Sequence, residues 1–276
     1  MKVLFAAAEV APFSKAGGLA DVVGSLPKYL ENDAEIAIFT PLHGLIDINK
    51  YEIKELENSA LWLTFNGKGH KFRLFMCKLP GTDINVFFVH NDWYFSCFKD
   101  VYPKWLDPEY EHERYIAFSL AVMEYAKLLN FKADIIHAND WHTAMIPVYL
   151  HSNYRYDEFW KNTKTVFEIH NLAYQGVWFE SVLDFANMRK DIVYNEWGVE
   201  HYGKVNWMKG AINYSDKVIA VSPNYAGEIV TGEYGEGMDY TLRMNQHKIV
   251  GILNGIDYDV FCLLYTSPSP RDLSTS

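Results

Sequence analysis

The segment Lys15-Ala16-Gly17-Gly18-Leu19-Ala20-Asp21-Val22 has the residue types of an anion site. An apolar run from Val3 to Ala8 precedes it and reads as a buried strand, and Leu19 to Leu30 has helical spacing of apolar residues. Adjacent glycines let an anion approach the backbone, a helix N-terminus offers free N–H groups, and Lys15 adds positive charge. Spacing alone leaves two readings open, a phosphate loop and an ordinary glycine turn between strand and helix. A nicotinamide loop is disfavoured, because Glu9 to Ala16 intervene after the strand and Gly-x-Gly-x-x-Gly is missing.

A second group is His137, Asp140 and His142. The two histidines are five apart, not four as in a helical zinc motif, so no metal is expected. No Ser or Cys lies in an elbow such as Gly-x-Ser-x-Gly, so covalent catalysis has no candidate nucleophile. Hydrogen bonding to a polyol remains, and Asp140, Asn171 and Asn254 supply fixed donors and acceptors for it.

These residues need strands to carry them. Ile36 to Thr40, Asp134 to His137, Thr163 to Ile169, Lys217 to Val221 and Lys248 to Leu253 read as further strands, and Lys71 to Leu79 with Ile84 to Val89 as a hairpin across Pro80-Gly81-Thr82-Asp83. Helical patterns fall at Tyr110 to Leu129, Thr143 to Leu150, Val205 to Tyr214 and Pro223 to Val230. Alternating strands and helices imply an α/β fold with a mostly parallel sheet covered on both faces. Ligands of such sheets lie beyond the carboxyl ends of the strands. Glu9 with the Lys15 loop, Asn139 to His142, His170 to Gly176, Ser222-Pro223 and Asn254 to Asp257 all follow strand ends. Each could be a capped turn, but together at one edge they favour a cleft.

With 276 residues, 49% of them apolar, the chain can bury a large core. A net charge of −10 without a basic run argues against nucleic acid as a partner. Cys77, Cys97 and Cys262 have no metal or redox spacing, which fits a reducing cytoplasm. Lys2 followed by Val3 to Ala8 imitates a signal peptide but is too short, and no stretch has the length of a membrane span.

Five blocks in order resemble bacterial glycogen synthases and plant starch synthases: Glu9 to Lys15 running into Gly17-Gly18-Leu19, His137-Ala138-Asn139-Asp140-Trp141-His142, His170 to Gly176, Ala220-Val221-Ser222-Pro223, and Leu253-Asn254-Gly255-Ile256-Asp257. The resemblance implies the Rossmann-like N-terminal domain of a GT-B glycosyltransferase over residues 1–261, with the C-terminal domain absent. It implies retaining transfer of glucose from ADP-glucose, or UDP-glucose, to the non-reducing 4-hydroxyl of an α-1,4-glucan, without metal or other cofactor. On that resemblance Lys15, Gly17 and Gly18 meet the phosphate end of the donor, Asp21 belongs to the same signature, and Asp140, His170, Asn171 and Asn254 surround the transferred glucose. His170 would act by orienting sugar atoms and through its backbone carbonyl, not as a general base. Tyr94 and Tyr174 are candidates for stacking on the acceptor. Lys209-Gly210-Ala211 stands where the family has Lys-Ala-Gly, and Cys97 near a usual Arg, which bears on acceptor contacts.

The resemblance stops at Phe261. Residues 262–276, rich in Ser, Thr and Pro, are expected to be an unpacked tail foreign to the fold. The family's other donor-binding groups lie in its C-terminal domain, so the chain alone is expected to be an inactive N-terminal fragment. The alternative is a non-catalytic glucan- or partner-binding domain on the same fold.

Overall fold

The computed structural model describes residues 1–255 and Asp257; the expected tail and Phe261 lie outside the described residues. In chain order the elements are β1 (Lys2–Ala6), α1 (Gly18–Leu30), β2 (Glu35–Pro41), β3 (Lys54–Glu55), β4 (Leu61–Phe65), β5 (Lys68–Lys78) and β6 (Asn85–His90). There follow α2 (Pro108–Leu128), β7 (Ile135–Asn139), α3 (Met145–His151), β8 (Lys164–Ile169), β9 (Val177–Trp178), α4 (Val182–Phe185) and α5 (Lys190–Val193). The described part ends with β10 (Glu200–His201), β11 (Lys204–Asn206), α6 (Trp207–Tyr214), β12 (Lys217–Ala220), α7 (Pro223–Glu228), α8 (Asp239–Met244) and β13 (Ile249–Gly251).

The main sheet has the order β13-β12-β8-β7-β1-β2-β6-β5-β3, with β4 paired to β5. Strands from β13 to β6 are parallel, and at the far edge β5 pairs antiparallel with β6 and β3 antiparallel with β5. Alternation of side chains explains why β1 and β2 are continuous apolar runs. Leu4 and Ala6 join Ala37 and Phe39 in one buried cluster, whereas Val3 and Phe5 join Ile36 and Ile38 in the cluster on the other face. Helix α1 covers the second face through Leu19 and Val23, while α2, α3 and α6 supply the first. Helix α2 starts where the chemistry demands, because the Asp107 side chain accepts from the Glu109 and Tyr110 amides and Pro108 needs no donor at the first position.

One expected element changes. Val205 is not helical but sits in β11, paired antiparallel with β9, and the helix begins at Trp207 behind the cap Asn206. Strands β9, β10 and β11 form a small second sheet whose two- and three-residue strands are too short to show a period. Among the described residues no helix is long and apolar enough to cross a membrane.

Candidate active site

From β1 the chain proceeds through α1 to β2 on one side, and it later enters β7 and then β8 on the other. The loops after β1 and β7 therefore diverge, opening a crevice at the switch point between them. A separate surface concavity lies at the amino ends of β2 and β6, lined by Glu35, Asp83 and Phe131 among others, at the opposite end of the sheet from these loops.

At the end of β1, Glu9 turns back beneath the glycine loop and is 2% exposed. Its carboxylate accepts from the Ala16 amide and, at 3.1 and 3.2 Å, from the Gly17 amide. Burial raises the Glu9 pKa, the two amides opposing. The loop thus differs from a bare cradle: two N–H groups expected to face a phosphate are held by the protein's own carboxylate. Helix α1 begins at Gly18 with no side-chain cap from Gly17, so the donors at its first turn are those left for a ligand. Lys15 Nζ lies 2.7 Å from Asp21 Oδ1, with both side chains partly exposed.

At the end of β7, Asp140 has φ of +54° with ψ of 179°, a backbone region that residues carrying a Cβ rarely adopt. This turn buries its carboxylate beneath the end of β8, where Oδ1 accepts from the amides of His170 at 2.8 Å and Asn171 at 3.2 Å. Burial pushes the Asp140 carboxyl up to about 7 against the pull of those amides. Asp140, His170 and Asn171 are therefore brought together, with Asp140 as the bracket between two strand ends.

Behind the bracket lies a buried polar layer that sequence reading passed over. Asn139 donates to Ala6 O at 3.0 Å, and its Oδ1 lies 3.1 Å from His170 Nε2. Glu168 on β8 is 3% exposed and faces His137 Nε2 at 3.4 Å and His170 Nε2 at 3.8 Å. Burial, then the Asp140 charge, raises Glu168 to about 7, while burial lowers His170 to about 4 and His137 to about 3. Both imidazoles are neutral at pH 7, so His170 donates Nε2–H to Asn139 rather than carrying charge. The available signal was one acid inside the apolar strand Thr165-Val166-Phe167-Glu168-Ile169. Among the described residues no group of three or more His, Cys, Asp or Glu is arranged to hold a metal ion.

The remaining candidates are scattered. Asn171 Oδ1 accepts from the Ala173 amide at 3.0 Å in a local turn, and Asn254 is half-buried just beyond β13, three strands from β7. Tyr174 is 66% exposed on the loop after β8. Tyr94 is corrected. Its ring is 1% exposed among Phe65, His70, Phe72 and Tyr110, so it offers no face to an acceptor. The Asn91 side chain accepts from the amides of Trp93 and Tyr94, turning Tyr94 inward and leaving Trp93 64% exposed. Gly210 packs α6 closely, since a Cβ there would meet Val199 Cγ1 at 2.5 Å and Val148 Cγ2 at 2.9 Å. Lys209 is buried and donates to Glu200 O.

The family model described as the starch synthase catalytic domain matches residues 2–244. This chain belongs to the starch synthase catalytic domain family. The glycogen synthase of Thermotoga maritima is 46% identical over 266 residues, covering 95% of this chain and 53% of that protein. The glycogen synthase of Thermosipho africanus is 43% identical with the same coverage. A solved structure of the catalytic domain of starch synthase IV from Arabidopsis thaliana, bound to ADP and acarbose, superposes with a TM-score of 0.83 at 29% identity. It is covered over 52% of its length by 94% of this chain. The chain thus spans about half the length of the curated relatives it matches. Within this starch synthase fold the bracket around Asp140 and the loop on Glu9 stand on adjacent parallel strands, β7 and β1.

Proposed function

We propose that these residues form one wall of the site of a retaining glucosyltransferase, which moves glucose from ADP-glucose or UDP-glucose to the non-reducing 4-hydroxyl of an α-1,4-glucan in the cytoplasm. The observation that carries the reading is the meeting of Asp140, His170 and Asn171 at the switch point, beside the glycine loop, in a chain of this family. The ADP bound to the Arabidopsis relative supports a nucleoside diphosphate donor.

Lys15 and the uncapped first turn of α1 would meet the departing diphosphate, where a fixed dipole and a cation stabilise developing negative charge. Lys15 would exchange Asp21 for phosphate oxygen. Asp140 would hold the His170–Asn171 backbone so that the His170 carbonyl faces the anomeric carbon as positive charge develops. A neutral His170 fits this role, because an imidazolium there would oppose that charge. With no protein nucleophile among the proposed groups, the leaving diphosphate would take the proton of the attacking hydroxyl on the same face of the sugar, giving retention. Asn254 would complete the sugar contacts from β13, and Tyr174 would stack on the acceptor.

The test places residues 1–255 in the position of the matching half of the Thermotoga maritima glycogen synthase. Incorporation of labelled glucose from ADP-glucose and UDP-glucose into glycogen is then measured. Transfer within about tenfold of the parent, lost on Lys15→Ala, supports the reading. A folded chimera that binds glycogen and ADP yet transfers nothing would favour a non-catalytic glucan-binding domain.

A further inference from the structure

Trp93 and Trp105 are 64% and 77% exposed, and both stand on the segment that carries the chain from β6 to α2. They are the two ends of one row of rings. Trp93 meets Tyr110 with ring centres 6.3 Å apart, Tyr110 meets Phe98 at 6.2 Å, and Phe98 meets Trp105 at 5.7 Å. The inner rings are anchored: Phe98 is buried with the Arg114 guanidinium carbon 4.8 Å from its centre, and Tyr110 is half-buried in the first turn of α2. A lone exposed ring is ordinary on a protein surface, whereas large rings joined into a patch mark a binding surface.

The main chain beneath the row is held in place. The Trp93 carbonyl accepts from the Tyr110 hydroxyl and, at 3.2 Å, from the Cys97 thiol, and the Trp93 amide donates to the Asn91 side chain at 2.9 Å. A ligand therefore meets rings whose backbone is already ordered, which favours binding. The same segment leads back to the crevice. Ser96 Oγ donates to Leu42 O at 3.1 Å, just beyond β2, and Tyr102 stacks at 4.9 Å on His142, two residues after Asp140. Trp105 follows Tyr102 by three residues. The exposed charges of the segment alternate in sign, Asp92, Lys99, Asp100, Lys104 and Asp107, so the row offers no field of one sign to a polyanion or a polycation. Carboxylates beside ring faces suit a neutral polyol instead, with hydroxyls donating to the oxygens and C–H faces lying on the indoles.

We infer that Trp93 and Trp105 form an outer platform on which an α-1,4-glucan chain lies while its non-reducing end occupies the crevice. The inference rests on the glucosyltransferase reading above and extends it: the stacking face that Tyr94 cannot offer is supplied by its neighbour Trp93 and by Trp105. Standing outside the crevice, the platform grips long chains and not the sugar that reacts.

The experiment runs the 276-residue chain in native gels containing glycogen. Trp93→Ala and Trp105→Ala replace exposed side chains and should melt with the wild-type midpoint. Each should weaken retention several-fold, and the two together by about tenfold or more, the loss expected when aromatic anchors are truncated. Equal retention of wild type and double variant would overturn the inference. So would equal retention of the wild type by a soluble β-1,4-glucan, which would mean unspecific adsorption to exposed rings. In the chimera with the Thermotoga maritima half, the double variant should raise the KM for glycogen several-fold and leave that for maltotriose unchanged. A glycogen KM that does not move would mean that the other half of the fold covers the indoles, and would also overturn the inference. A chimera that transfers nothing, while retention of the chain still depends on both indoles, would count against the glucosyltransferase reading and for the platform.

Discussion

Replacing Glu168 by Gln should change how the stability of this protein depends on pH. The Glu168 carboxyl moves from 4.5 to about 7 on folding, because burial, assisted by the Asp140 charge, disfavours its ionised form. Between those values the folded chain holds a proton that the unfolded chain has released. Stability therefore falls as pH rises through this window, and above 7 the full cost is present. At 1.36 kcal/mol per pH unit the cost is about 3 kcal/mol. Gln has the same shape and cannot ionise, so this cost, the repulsion from Asp140 included, disappears. Urea unfolding followed by tryptophan fluorescence at about pH 5 and pH 8 reads the effect. The two proteins should agree within about 1 kcal/mol at the lower pH, where wild-type Glu168 is largely protonated. At the higher pH the variant should be the more stable by about 3 kcal/mol. Equal pH slopes in the two proteins would refute the reasoning, since they would mean that Glu168 does not exchange a proton in this range.

Two further outcomes follow from the site. Asp140→Ala leaves the His170 and Asn171 amides without their acceptor, so urea unfolding should show a loss of about 3 kcal/mol or more. Asp140→Asn retains an acceptor oxygen and should lose about 1 kcal/mol or less; equal losses would contradict the bracket. In glycogen-containing native gels, Tyr174→Ala should weaken retention several-fold while Tyr94→Phe leaves it unchanged, and the reverse pattern would refute the burial argument for Tyr94.

The parallel core was legible because buried strands announce themselves as unbroken apolar runs and helices by their period. Lys2–Ala6, Glu35–Pro41 and Lys164–Ile169 lie within two residues of their expected bounds, as does α1. Strands two residues long carry no such pattern, so β9 and β10 were silent and Val205 was absorbed into the following helix. Tyr94 shows a different limit. Neighbouring aromatics have equal hydrophobicity, and only the Asn91 cap decides that Trp93 faces out and Tyr94 in.

By itself, the sequence determined that polar motifs cluster at one edge of a parallel sheet, because order along the chain and apolar runs are local properties. It also carried the family's blocks in their order. Which groups touch was decided by tertiary structure alone. Glu9 occupies the Ala16 and Gly17 amides, Asp140 reaches across to β8, and Glu168 lies between two imidazoles. The Asp140 and His137 contacts join strands distant in sequence, the Glu9 contact folds a loop back on itself, and their energies come from burial and charge. Such quantities exist only once the chain has closed around them.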